Sequence, residues 1–91
     1  MNESTQILKA LGKRIAYLRK QKGMSQEDFA DASGKMINTI SNIERGLSDP
    51  KVTTLMSISK ALDISIEELF SENTQKQAVE KLPSNISAIL Q

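Results

Sequence analysis

The 91-residue chain contains no cysteine and no histidine. Without cysteine there is neither a disulfide framework nor a thiolate metal site, which suits a reducing cytoplasm. Without histidine the commonest general base and the commonest metal ligand are both missing. No constellation of carboxylate, lysine or serine stands out in their place, so neither catalysis nor a bound metal or cofactor is expected. No apolar run approaches the roughly 20 residues of a membrane-spanning helix. The opening stretch MNESTQILK also lacks the charged-then-apolar layout of a secretion signal, so a soluble, cytoplasmic protein is expected. Charge of one sign is not in excess either: the formal net charge of +1 is far from the balance of a nonspecific nucleic-acid binder.

The charge is, however, unevenly placed. Lys9, Lys13, Arg14, Arg19, Lys20 and Lys22 face only Glu3 up to residue 22, so this segment carries about +5 and the remainder about −4. Such a distribution serves either as a solvated outer helix face or as a surface for phosphate contact.

Apolar spacing makes the chain all-α. Leu8, Leu11, Ile15 and Leu18 recur at intervals of three and four with basic residues between them, which predicts a first helix over 5–21 that ends at Gly23. Ser25 is a helix N-cap with Glu27 and Asp28 in the first turn. The second helix directs Phe29, Ala30 and either Ala32 or Ser33 inward and stops at Gly34. A third helix, about 37–45, places Ile40 and Ile43 on its core side. After the polar loop GLSDPK, Pro50 permits but does not continue a helix. The fourth helix carries Val52, Leu55, Ile58, Ala61 and Leu62 on one stripe. The fifth, over 65–70, opens on a capping box formed by Ser65 and Glu68. With no strand pattern, repeat or low-complexity tract, the chain reads as one small domain, near the size at which a single core only just suffices.

Two short helices joined by a tight glycine-containing turn, the second presenting small polar side chains, have the geometry of a helix-turn-helix. The stretch from Ser25 to Gly46, SQEDFADASGKMINTISNIERG, supplies all of these parts. Sequence-specific binding of double-stranded DNA is therefore the leading expectation.

The run from Leu8 to Phe70 resembles the phage repressor and Cro-like (XRE-type) helix-turn-helix family. The stretches RIAYLRKQKGMSQEDFA, TISNIERG and SISKALDISIEELF carry the resemblance. It implies a compact five-helix DNA-binding domain over 5–70, docking its third helix in the major groove as a two-fold dimer that acts on transcription. Carried onto this chain, Gln26 reaches a phosphate, and Arg19 and Glu44 form an internal ion pair between helices 1 and 3. The positions that point into the groove hold Ile37, Asn38, Ser41 and Asn42. Asparagine can bond adenine through two atoms at once, and Ile37 can touch a thymine methyl; Asn38 also suits a helix N-cap. Lys35, Thr39, Arg45 and Lys51 are assigned to phosphates, which fix register rather than sequence. The chain departs from the family pattern at Lys35, Met36 and Ile37, where members commonly have an apolar residue, a hydroxyl cap and a polar or basic reader. These departures allow helix 3 to start later, with Met36 or Ile37 folded inward.

Residues 71–91 form an extension in which Ala78, Val79 and Leu82, then Ile86, Ile89 and Leu90 after Pro83, return to an apolar pattern. This extension can fray, pack back on the domain or bury its apolar face against a second copy. A homodimer interface centred on Leu69, Phe70, Leu82, Ile86, Ile89 and Leu90 is the expectation. The competing class is an antitoxin or protein-interaction module whose extension binds a heterologous protein partner.

Overall fold

A computed structural model describes residues 2–71. They form five helices: α1 Glu3–Gln21, α2 Gln26–Ser33, α3 Ile37–Glu44, α4 Val52–Leu62 and α5 Ile66–Leu69, with no strand among the described residues. The domain is thus all-α, as the spacing predicts. Leu82, Ile86, Ile89 and Leu90 of the expected dimer interface lie outside the described residues.

Local chemistry sets most of the helix ends. Helix α1 begins before Thr5 because the Asn2 side chain accepts from the Thr5 N–H at 2.8 Å, with Glu3 in the positive first turn. In α2 the Asp28 N–H donates to Ser25 Oγ at 3.0 Å, and the Ser25 N–H donates back to Asp28 Oδ2 at 3.1 Å. The Ser25 backbone N–H first, and its hydroxyl second, hold the Asp28 carboxyl below the ordinary aspartate range, against a small opposing effect of burial. Ser65 and Glu68 repeat the reciprocal arrangement at the start of α5, at 3.1 Å in both directions.

The core gathers Ile15, Phe29, Ile40, Ile58, Leu62 and Leu69, all fully buried, with Leu11, Ala30, Ile43 and Leu55 around them. Each such large side chain contributes about 1.5–3 kcal/mol through burial. On α2 it is Ser33, not Ala32, that turns inward, its hydroxyl donating to the Phe29 carbonyl at 2.7 Å. Two expected positions differ. Val52 keeps the phase of the α4 stripe but stands at the first position of the helix, where nothing among the described residues covers it, and it is 69% exposed. Leu69 is consumed by the chain's own core at 0% exposure. It therefore has no surface to offer a second copy; Phe70 is the α5 end residue that does.

Helices α1 and α3 approach so closely at Gly12 that a Cβ there would collide with the carbonyl oxygens of Ile43 and Glu44. This backbone-to-backbone contact seats the C-terminal end of α3 on the middle of α1.

Candidate nucleic-acid interface

The turn between α2 and α3 has three residues, Gly34, Lys35 and Met36. Gly34 adopts the left-handed conformation, φ 70° and ψ 29°, and the Lys35 N–H reaches back to the Ala30 carbonyl at 2.9 Å. This closure satisfies the last carbonyls of α2 and turns the chain sharply into α3. Helix α3 begins at Ile37 with Met36 in the N-cap position and no side-chain cap. Neither residue folds inward: Met36 is 72% exposed and Ile37 45%. Both stand at the N-terminal end of α3, Met36 as the N-cap residue and Ile37 as the first helical residue, ahead of the turn that carries Ile40 and Ile43 into the core. Position at the helix end, and not helical phase, leaves them uncovered. Asn38 is the second residue of the helix, so it is not the N-cap.

On the inner side of α3 a polar network holds its C-terminal end. Arg19 Nε donates to Glu44 Oε2 at 2.8 Å and Nη2 to Glu44 Oε1 at 3.1 Å, while Nη1 donates to the Met24 carbonyl at 2.8 Å. The two-toothed geometry matches the planar guanidinium to the planar carboxylate. Both side chains are buried. Gln26, the first residue of α2, adds its side-chain amide, donating to Glu44 Oε1 at 2.9 Å. The Arg19–Glu44 pair thereby ties α1, the turn at Met24, the start of α2 and the end of α3 together.

The outer side carries the residues assigned to DNA. Ile37 and Asn38 are exposed, and Ser41 and Asn42 are half-buried. Asn42 is oriented by Arg45, whose Nη2 donates to Asn42 Oδ1 at 3.0 Å. Asn38 makes no side-chain hydrogen bond among the described residues. Lys35 and Thr39 are half-buried, and Arg45 and Lys51 are exposed, Lys51 as the N-cap residue of α4. The Gln26 amide spends one proton on Glu44 and keeps its other proton and its oxygen. Arg14, grouped by sequence with the α1 charges, is instead anchored on α5: its Nε and Nη2 donate to the Glu68 carbonyl at 3.3 and 2.9 Å. No sequence signal links residues 54 apart in this way.

Among the described residues there is no group of three acidic, histidine or cysteine side chains that could hold a metal ion, and no helix long and apolar enough to cross a membrane.

A helix-turn-helix family model, HTH_3, matches residues 15–69. The chain is 40% identical over 63 residues to the HTH-type transcriptional regulator PuuR of Escherichia coli (strain K12), covering 69% of this chain and 34% of PuuR. It is 34% identical over 68 residues to the HTH-type transcriptional regulator SinR of Bacillus licheniformis, covering 74% of this chain and 61% of SinR. The chain thus spans about a third of the first relative and under two thirds of the second. Among solved structures, the restriction-modification controller protein C.AhdI from Aeromonas hydrophila superposes with a TM-score of 0.68 at 36% identity, over 69% of this chain and 96% of that one. These relatives are regulators and a controller protein rather than enzymes. Together with the helix-turn-helix geometry, they establish that the chain belongs to the phage repressor and Cro-like (XRE-type) helix-turn-helix family of DNA-binding transcriptional regulators.

Proposed function

We propose that the chain acts in the cytoplasm as a repressor-like homodimer that reads a pseudo-palindromic operator, with α3 of each copy in the major groove of duplex DNA. The observation that carries this reading is the contrast between the two sides of α3. The inner side is fixed by buried Ile40 and Ile43 and by the Glu44 network, whereas the outer side carries exposed Ile37 and Asn38 and half-buried Ser41 and Asn42. A rigid helix with short polar side chains near its start suits base edges. Asn38, with both amide atoms uncommitted, is the stronger candidate for a two-point adenine contact. Asn42 already gives one lone pair to Arg45.

Gln26, Lys35, Thr39, Arg45 and Lys51 hold phosphates and set register. The half-sites then lie about 34 Å apart, one turn of the duplex. Phe70, together with Ile86, Ile89 and Leu90, supplies the contact between copies. The second reading, an antitoxin or protein-interaction module with a heterologous partner, draws on the exposed apolar side chains Leu47, Val52 and Met56; a monomer that captures such a partner and ignores duplex DNA supports it.

A mobility-shift titration at 50 and 200 mM salt tests the DNA reading. A dimer that neutralises 6–10 phosphates loses about 10³- to 10⁵-fold in affinity across that range, through release of condensed counterions. Binding that is indifferent to salt contradicts the phosphate contacts.

A further inference from the structure

A shallow groove of about 560 Å³ runs between the N-terminal half of α1 and the end of α5. Buried Leu11 and Leu69 lie beneath it, while Ile7 and Phe70 stand on its sides at 54% and 52% exposure. Arg14 also lines it, and the Nη1 atom of Arg14 is buried with no hydrogen-bond partner among the described residues. Polar Glu3, Gln6, Arg14 and Ser71 share the lining with these apolar side chains. Exposed Ile7 and Phe70 and a buried, unanswered donor are each unfavourable in contact with nothing else.

We propose that the groove is the docking site of this chain's own continuation, residues 76–82, KQAVEKL. Where the chain goes after α5 is the first argument. Ser71, the last described residue, itself lines the groove. Ala78 follows seven residues later, a length that spans at most about 25 Å when extended. The flank of α1 from Glu3 to Arg14 is only about 16 Å long, so every point of the groove is within reach.

Pattern is the second argument. Ala78, Val79 and Leu82 are spaced to share one helical face, which matches a groove bounded by Ile7 and Phe70. The same stretch brings Glu80, opposite in charge to the Arg14 that lines the groove. Tethering is the third: a segment attached at the rim of its own groove is present at an effective concentration in the millimolar range, well above that of a second copy at ordinary protein concentrations. The consequence is a division of the extension at Pro83. Leu82 belongs to the groove, and Ile86, Ile89 and Leu90 remain for contact between copies. This holds whether or not α3 reads DNA.

The absence of cysteine allows a direct test on the full chain. Ile7→Cys is combined in turn with Ala78→Cys, Val79→Cys and Leu82→Cys, and each extension cysteine is also combined with Gln21→Cys, about 21 Å further along α1. Under mild oxidation, at least one Ile7 pairing should close within a single chain about tenfold faster than its Gln21 counterpart. Equal rates at both positions overturn the proposal. A covalent dimer as the main product overturns it too, since a second copy then fills the groove. Independently, the Val79→Asp, Leu82→Asp double variant should melt about 4 °C or more below the parent. That deficit should be the same at two protein concentrations tenfold apart. An unchanged midpoint, or a deficit that grows with concentration, contradicts docking within one chain.

Discussion

Gln26 and Glu44, 18 residues apart, are joined by a 2.9 Å hydrogen bond to the same carboxylate oxygen that Arg19 Nη2 holds at 3.1 Å. The start of α2 and the end of α3 are therefore fixed to one another through a side chain of α3 itself, and the angle between the two helices does not rest on the turn alone. The network is buried, so its value lies in completeness: breaking a buried pair leaves the survivor desolvated without compensation. Glu44→Ala should destabilise the domain by about 3 kcal/mol, a large share of the 5–15 kcal/mol typical of a whole domain. Gln26→Ala removes only one hydrogen bond and should cost about 1 kcal/mol. Urea unfolding of the two variants checks the order, and equal costs contradict the proposed hierarchy.

Gly12 sets two effects against each other. Alanine in a helix interior is favoured over glycine by about 0.8–1 kcal/mol. At this site, however, the added Cβ lies 2.5 Å from the Glu44 carbonyl oxygen, closer still to that of Ile43, and both obstacles are backbone. Relieving that overlap means moving α3 away from α1, at a cost of about 1–3 kcal/mol or more, which exceeds the propensity gain. Gly12→Ala should therefore lower the thermal midpoint and weaken operator binding together. A variant more stable than the parent would show that the two helices can separate at little cost.

The two asparagines of α3 should behave differently. Asn38→Ala removes an amide that is free to meet a base, and the expected loss in operator affinity is about 1–3 kcal/mol, with little change on random DNA. Asn42 is held by Arg45, so Asn42→Ala also releases a side chain assigned to phosphate, and it should weaken binding to operator and random duplex alike as well as relaxing specificity. Competition assays with both DNA types separate the outcomes. Equal losses on both types for Asn38→Ala would remove that residue from the base-reading set.

Much of the fold was legible because its signals are local. The capping chemistry of Ser25 and of Ser65 with Glu68, the stop at Gly34, and the three-and-four spacing of Leu11, Ile15, Ile40, Ile43, Leu55 and Ile58 all act within a few residues, so the sequence displays them directly. What was misread depends on where helices lie relative to one another. Val52 repeats the apolar phase of α4 but sits at an uncovered end, and Leu69 looked available for a second copy although the core takes it. The inward folding expected of Met36 or Ile37 failed because both stand at the uncovered start of α3, although their spacing to Ile40 puts them near its buried side. The Gln26 bond to Glu44 and the Arg14 bond to the Glu68 carbonyl join distant segments and leave no spacing signature. Arg19 and Glu44 were paired by resemblance to the family, not by their separation in the chain.

Selection of bound duplexes from a random pool, followed by sequencing, tests the central claim most directly. The account predicts enrichment of a pseudo-palindrome whose half-sites lie about 34 Å, or one DNA turn, apart, with an adenine in each half-site whose preference disappears when Asn38→Ala is selected in parallel. A pool that remains unenriched, or that converges on a single asymmetric site unaffected by Asn38→Ala, would contradict a dimer reading DNA through α3.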